Sequence, residues 1–116
     1  LKYLFLLMMS ISCCSSASDG RDLIREALER GLEVEPMMII SSCSAQDKWC
    51  QGYMSAVVQS LDTAKVEVCL PKNDVGKPVQ DGLWAIVESW LYRQPKDTKV
   101  SLFSAIYKAL TEHTTC

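Results

Sequence analysis

Histidine is nearly missing from this chain: His113 is the only one among 116 residues. A zinc centre draws on a denser set of ligands, and no C-x-x-C pair supplies the spacing such a site uses. No serine stands in a G-x-S-x-G elbow, and no glycine-rich loop is arranged to cradle a phosphate. Basic residues are in no surplus, with 12 Lys and Arg against 14 Asp and Glu and a net charge of −2. Without a basic patch or a polybasic tail, nucleic acid is a poor partner. No apolar run reaches the roughly 20 residues that span a bilayer. The sequence designates no catalytic residue, no cofactor and no metal site, which leaves binding as the expected activity.

Cysteine, by contrast, is abundant, with six residues. Two of them, Cys13 and Cys14, fall in an N-terminal stretch that reads as a secretion signal. Lys2 precedes an apolar run from Tyr3 to Met9, and Ser15-Ser16-Ala17 supplies the small residues that a signal peptidase grips. Residues 1–17 are therefore expected to be removed before Ser18. Lipid anchoring at Cys13 or Cys14 is the alternative, but Ser10-Ile11-Ser12 lacks the usual leucine three places upstream. Residues 18–116 are then one domain, too small for two cores, in an oxidising compartment. Cys43, Cys50, Cys69 and Cys116 remain, an even set that reads as a disulfide framework.

The rest of the chain reads as helices. Ser18 or Asp19 caps a first one running to Arg30, with Gly31 as its left-handed stop and Leu23, Ala27 and Leu28 on its inner face. Glu35-Pro36 opens a second short helix to Cys43, because proline suits a first turn. Asp47 caps a third from Lys48 to Ala64, where Trp49, Tyr53, Val57 and Leu61 recur every four residues and Met54 and Val58 widen the stripe. Val66 to Pro71 is a short extended connector, and Lys72 to Lys77 a polar loop. Pro78 starts a fourth helix, with Val79, Leu83, Ile86 or Val87, and Trp90 or Leu91 inward, stopped before Pro95. Asp97 or Thr98 caps a fifth, with Leu102, Ile106 and Leu110 inside. The expected fold is a compact all-α bundle of four to five short helices held by two disulfides.

Four cysteines permit three pairings, and sequence alone does not choose among them. Local geometry favours Cys43–Cys50. On one continuous helix their Cα atoms would stand about 10 Å apart, beyond disulfide reach, so that pairing requires a break at Ser44–Lys48. Cys69–Cys116 would then fasten the connector to the C-terminus.

The remaining polar groups have ordinary readings. His113 suits a helix C-terminus, where its charged form meets the dipole favourably. Glu26, Glu29, Glu33 and Glu35 read as a solvated face, and Ser41, Ser42, Ser44, Ser55 and Ser60 have no base at a recognisable spacing. Among Trp49, Tyr53, Trp84, Trp90 and Tyr92, most belong to a core. Trp84 and Trp90, however, are about 240° apart on a helix, which leaves one of them available for an interface.

Taken in order, these features resemble a known family. A cysteine near the end of an early helix precedes Cys50-x-Gly52-Tyr53 at the start of the next. Cys69-x-Pro71 follows, then Trp90-Leu91 with Pro95 behind it, and Ala109-Leu110 before a terminal cysteine. This series, covering Leu32 to Cys116, is similar to the Rap1a/Tai group of type VI secretion immunity proteins; Glu35-Pro36 favours the Tai4-like branch. Two departures stand out: Ala56 replaces a frequent second glycine, and the chain ends Thr115-Cys116 instead of Pro-Cys.

The resemblance implies a periplasmic, homodimeric protein that binds a peptidoglycan amidase of the NlpC/P60 cysteine type and occludes its active site. Such a protein needs a protruding, stiffened segment to fill a cleft. Lys72-Asn73-Asp74-Val75-Gly76-Lys77, held between Cys69 with Pro71 and Pro78, is the candidate, because preorganisation lowers the cost of binding. A small periplasmic chaperone of the acid-stress type is the alternative, although one histidine offers little as a pH switch. An envelope-binding protein without inhibitory activity is a third reading.

Overall fold

The polypeptide is described, in a computed structural model, over residues 20–113. Five helices form there: α1 (Gly20–Glu29), α2 (Pro36–Ser42), α3 (Lys48–Thr63), α4 (Gln80–Tyr92) and α5 (Leu102–Glu112). Among the described residues there is no strand. Two isolated antiparallel bridges occur, Val34 with Val100 and Lys72 with Pro78. The fold is all-α, as its apolar periodicity requires.

α4 is the hub. It packs along α5 and also meets α2 and α3, while α1 rests on α2 and α3 also touches α5. Leu28, Ile39, Met54, Leu83, Val87, Leu91, Leu102, Ile106 and Leu110 are fully buried between them, and among the described residues no polar or charged one is buried with them. Each such side chain contributes about 1.5–3 kcal/mol by leaving water.

Several helix ends follow from single residues. Pro36 opens α2. Asp47 caps α3 by accepting from Cys50 N at 3.0 Å. At the end of α1, Leu32 N donates to Ala27 O at 3.0 Å and Gly31 N to Leu28 O at 3.1 Å, with Gly31 at φ 74°. This is the Schellman arrangement. α3 stops in the same way around Lys65, at φ 59°, with Val66 N on Leu61 O at 2.9 Å. Ser18 and Asp19, the expected caps of α1, lie outside the described residues.

The structure corrects the sequence reading at five places. Leu23 is 59% exposed, and α1 turns Ile24, Ala27 and Leu28 inward instead. The buried stripe of α3 is Cys50, Met54, Val57 and Leu61, while Trp49 and Tyr53 form its border. The border position is explained by Arg25, whose guanidinium sits 4.6 Å over the Trp49 ring, while the Tyr53 ring lies 5.4 Å from that of Trp49. α4 begins at Gln80, not at Pro78, because Pro78 is drawn into its bridge with Lys72. α5 is capped by Ser101, whose Oγ accepts from Ser104 N at 3.1 Å. Asp97 and Thr98 precede the pairing of Val100 with Val34, which keeps the chain extended up to the true cap.

The fifth correction concerns the tryptophans. Trp84 and Trp90 are both buried, at 3% and 5% exposure, so neither is left over for an interface. Both indole N–H groups are satisfied on the way in. Trp84 donates to Gln80 Oε1 at 3.1 Å and Trp90 to Glu112 Oε2. The rotation between them is absorbed because α4 is covered from several sides.

Candidate functional site

The expected break between Cys43 and Cys50 is present. α2 ends at Ser42, α3 starts at Lys48, and a turn between them brings the two Cα atoms to 5.6 Å, where a disulfide joins them. Both cysteines are buried. Asp47 reinforces this corner, since beyond capping α3 it receives Arg25 Nη2 from α1 at 2.7 Å. Its carboxyl is held below the ordinary value of 3.8, first by the Cys50 N–H and further by Arg25, against the opposing effect of partial burial. Nearby, burial raises the Tyr53 hydroxyl above its ordinary 10.0. Cys69 is also disulfide-bonded. Cys116, the partner expected for it, lies outside the described residues, as do Cys13, Cys14 and the whole of residues 1–17.

The polar loop expected at Lys72–Lys77 is a closed hairpin. Val79 N donates to Pro71 O at 3.0 Å and Asn73 N to Lys77 O at 2.8 Å, which brackets the Lys72–Pro78 pair. A pair flanked in this way asks nothing of its own N–H groups, so proline costs no hydrogen bond there. At the turn, Gly76 N donates to Asn73 O at 3.0 Å, and Gly76 takes φ 81°, a conformation that disfavours other residues. The Asn73 side chain completes the closure: its Oδ1 accepts from Val75 N at 3.1 Å and Lys77 N at 2.9 Å. Lys72 through Pro78 are nevertheless all exposed as residues, and Val75 is 76% exposed.

Two residues not singled out from sequence tie this hairpin to the bundle. Gly82 on α4 is the seat of Pro71: a methyl at position 82 would lie 2.6 Å from Pro71 Cγ and 2.8 Å from Pro71 Cβ. Gln80 fixes the returning arm. Its Nε2 donates to Ser55 Oγ at 3.1 Å and Gln51 O at 3.3 Å on α3, while its Oε1 receives Trp84. A glycine inside a helix can mark close approach, but Gly52 carries the same sign and meets nothing within 4 Å, so sequence does not single out Gly82; Gln80 carries no comparable signal.

Beside the hairpin runs an open groove of about 1160 Å³. Val58, Val66, Val68, Leu70 and Leu83 supply apolar lining, and Lys65, Lys72 and Lys77 supply charge, along with Asp62 and Glu67. His113 caps the C-terminal end of α5 and borders the same groove. Gly52 and Ala56 of the cysteine-bearing helix are exposed, and a methyl at Gly52 would touch nothing within 4 Å. Among the described residues, no helix is long and apolar enough to cross a membrane, and no three His, Cys, Asp or Glu side chains gather to hold a metal. Comparison with protein-family models, with curated proteins and with solved structures gives no match.

Proposed function

We propose that this protein is a periplasmic immunity protein that protects its cell from a type VI secretion effector, a peptidoglycan amidase of the NlpC/P60 cysteine type. It acts by inserting the Lys72–Pro78 hairpin into the amidase cleft, so that substrate cannot enter. The observation that carries this reading is the hairpin itself. It is exposed along its length, yet cross-linked within by the Asn73 side chain and seated on α4 through Pro71. A segment already ordered before contact loses little conformational freedom on binding. Occlusion asks for no catalytic group on this chain. The buried Cys43–Cys50 bond supports an oxidising compartment.

The experiment is a protection assay. Cells in which an amidase of this type is directed to the periplasm lyse; co-expression of this protein with its leader is expected to restore growth, and a leaderless version is not. Equal lysis with and without the protein overturns the reading. The family resemblance further implies a homodimer, and light scattering on the purified protein is expected to give twice the chain mass.

A further inference from the structure

Resting on the occlusion reading, we propose that Val75 is the anchor of the hairpin: an apolar knob that enters a socket in the partner's cleft, with Lys72 and Lys77 set against an acidic rim. Asn73 is then a positioning residue and not a contact.

The argument starts from how the hairpin's polar atoms are disposed. Asn73 Oδ1 is taken by the N–H groups of Val75 and Lys77, and Asn73 O by the N–H of Gly76. The most hydrogen-bond-rich side chain in the segment thus serves the hairpin's own shape. Beside it stands a valine that is 76% exposed, above every other large apolar residue exposed on the described surface. A single exposed apolar residue is ordinarily unremarkable. This one is held in a closed turn, where its backbone N–H is fixed by Asn73 and its neighbour Gly76 takes φ 81°. The turn fixes the backbone that presents this side chain, which lowers the ordering cost of binding.

Charge defines the partner. The whole chain carries −2, but the hairpin holds Lys72 and Lys77 against Asp74 alone, while Lys65 in the adjoining groove is offset by Asp62 and Glu67. A locally positive arm on an acidic protein fits a cleft whose rim is negative. That rim steers association, while the apolar socket supplies affinity.

The test measures binding of the full chain, leader removed, to the same amidase used for the protection assay, by titration calorimetry at low and high salt. Burying a valine corresponds to roughly a 10- to 100-fold difference in affinity. Val75→Ser is expected to weaken binding by that factor with an unchanged thermal melt, and Val75→Ile to retain it. Asn73→Ala is expected to weaken binding because the turn loosens, and Asn73→Asp, which keeps the acceptor but adds a negative charge, to retain binding at high salt, where that charge is screened. The pair Lys72→Gln with Lys77→Gln is expected to weaken binding at low salt and to remove most of the salt dependence. If the wild type binds and Val75→Ser binds equally well, the anchor is overturned while occlusion stands. If the wild type does not bind, the occlusion reading fails and the anchor with it.

Discussion

Gly82→Ala and Gly52→Ala are the same chemical change in two helices, and they should have opposite effects. At Gly82 the new methyl meets Pro71 Cγ at 2.6 Å and Cβ at 2.8 Å, where carbon atoms normally stand about 3.5–4.0 Å apart. A proline ring cannot rotate away, so Pro71 must retreat by about 1 Å. That movement strains the Val79 N to Pro71 O bond and the foot of the hairpin. Overpacking of this kind costs about 1–3 kcal/mol, against a gain of about 1 kcal/mol for alanine over glycine inside a helix. At Gly52 the methyl meets nothing within 4 Å, and only the helical gain of about 1 kcal/mol remains. Gly82 lies in the first turn of α4 and Gly52 one turn into α3, so the propensity gain at position 82 is no larger than at position 52, and the difference between the two variants is set mainly by the Pro71 overlap, about 1–3 kcal/mol. For a domain of this size each kcal/mol moves the midpoint by about 4–8 °C. Urea and thermal unfolding read the stabilities, and amide exchange at Asn73, Lys77 and Val79 reads the hairpin. Gly82→Ala should speed exchange at those amides and Gly52→Ala should not. A Gly82→Ala protein stabilised as much as Gly52→Ala, with the hairpin amides unchanged, would refute the close seating of Pro71.

Further outcomes concern the framework. Replacing Cys43 and Cys50 together by alanine removes a bridge with a sequence separation of 7; the loop-closure argument puts the loss at about 2–3 kcal/mol, read by denaturant melts. Asp47→Ala removes the cap of α3 and should cost about 1–2 kcal/mol at neutral pH. Since the folded Asp47 carboxyl lies below its ordinary 3.8, its ionised form stabilises the fold above that value. The contribution is lost as pH falls through the lower folded value. The gap between wild type and Asp47→Ala in melts should therefore narrow below about pH 4. Lys65→Gly relieves a left-handed conformation at φ 59° and should stabilise by about 0.5–1 kcal/mol, seen as a raised midpoint.

The helices were legible because burial repeats with their own period, and α5 shows it most plainly through Leu102, Ile106 and Leu110. The disulfide corner was legible because two cysteines seven residues apart cannot meet on one helix. What escaped was decided by long-range contacts. Pro78 is as good a first-turn residue as Pro36, and only its pairing with Lys72 across the hairpin moves the start of α4 to Gln80. Ser101 caps α5 because Val100 is held by Val34, far away in the chain. The position of Trp49 at the edge of the core depends on Arg25 from another helix. The candidate loop could be found from its flanking prolines and polar composition, but not its closure. That rests on one asparagine oxygen accepting two N–H groups and on the glycine seat at position 82.

The most direct measurement is inhibition of a purified NlpC/P60-type amidase acting on peptidoglycan fragments. The amidase is titrated with this protein and with a variant in which residues 73–76 are replaced by a two-residue turn. The occlusion mechanism requires stoichiometric loss of hydrolysis with the intact protein and full activity with the shortened hairpin, both proteins melting alike. Undiminished hydrolysis at excess intact protein, or equal inhibition by the shortened form, would contradict it.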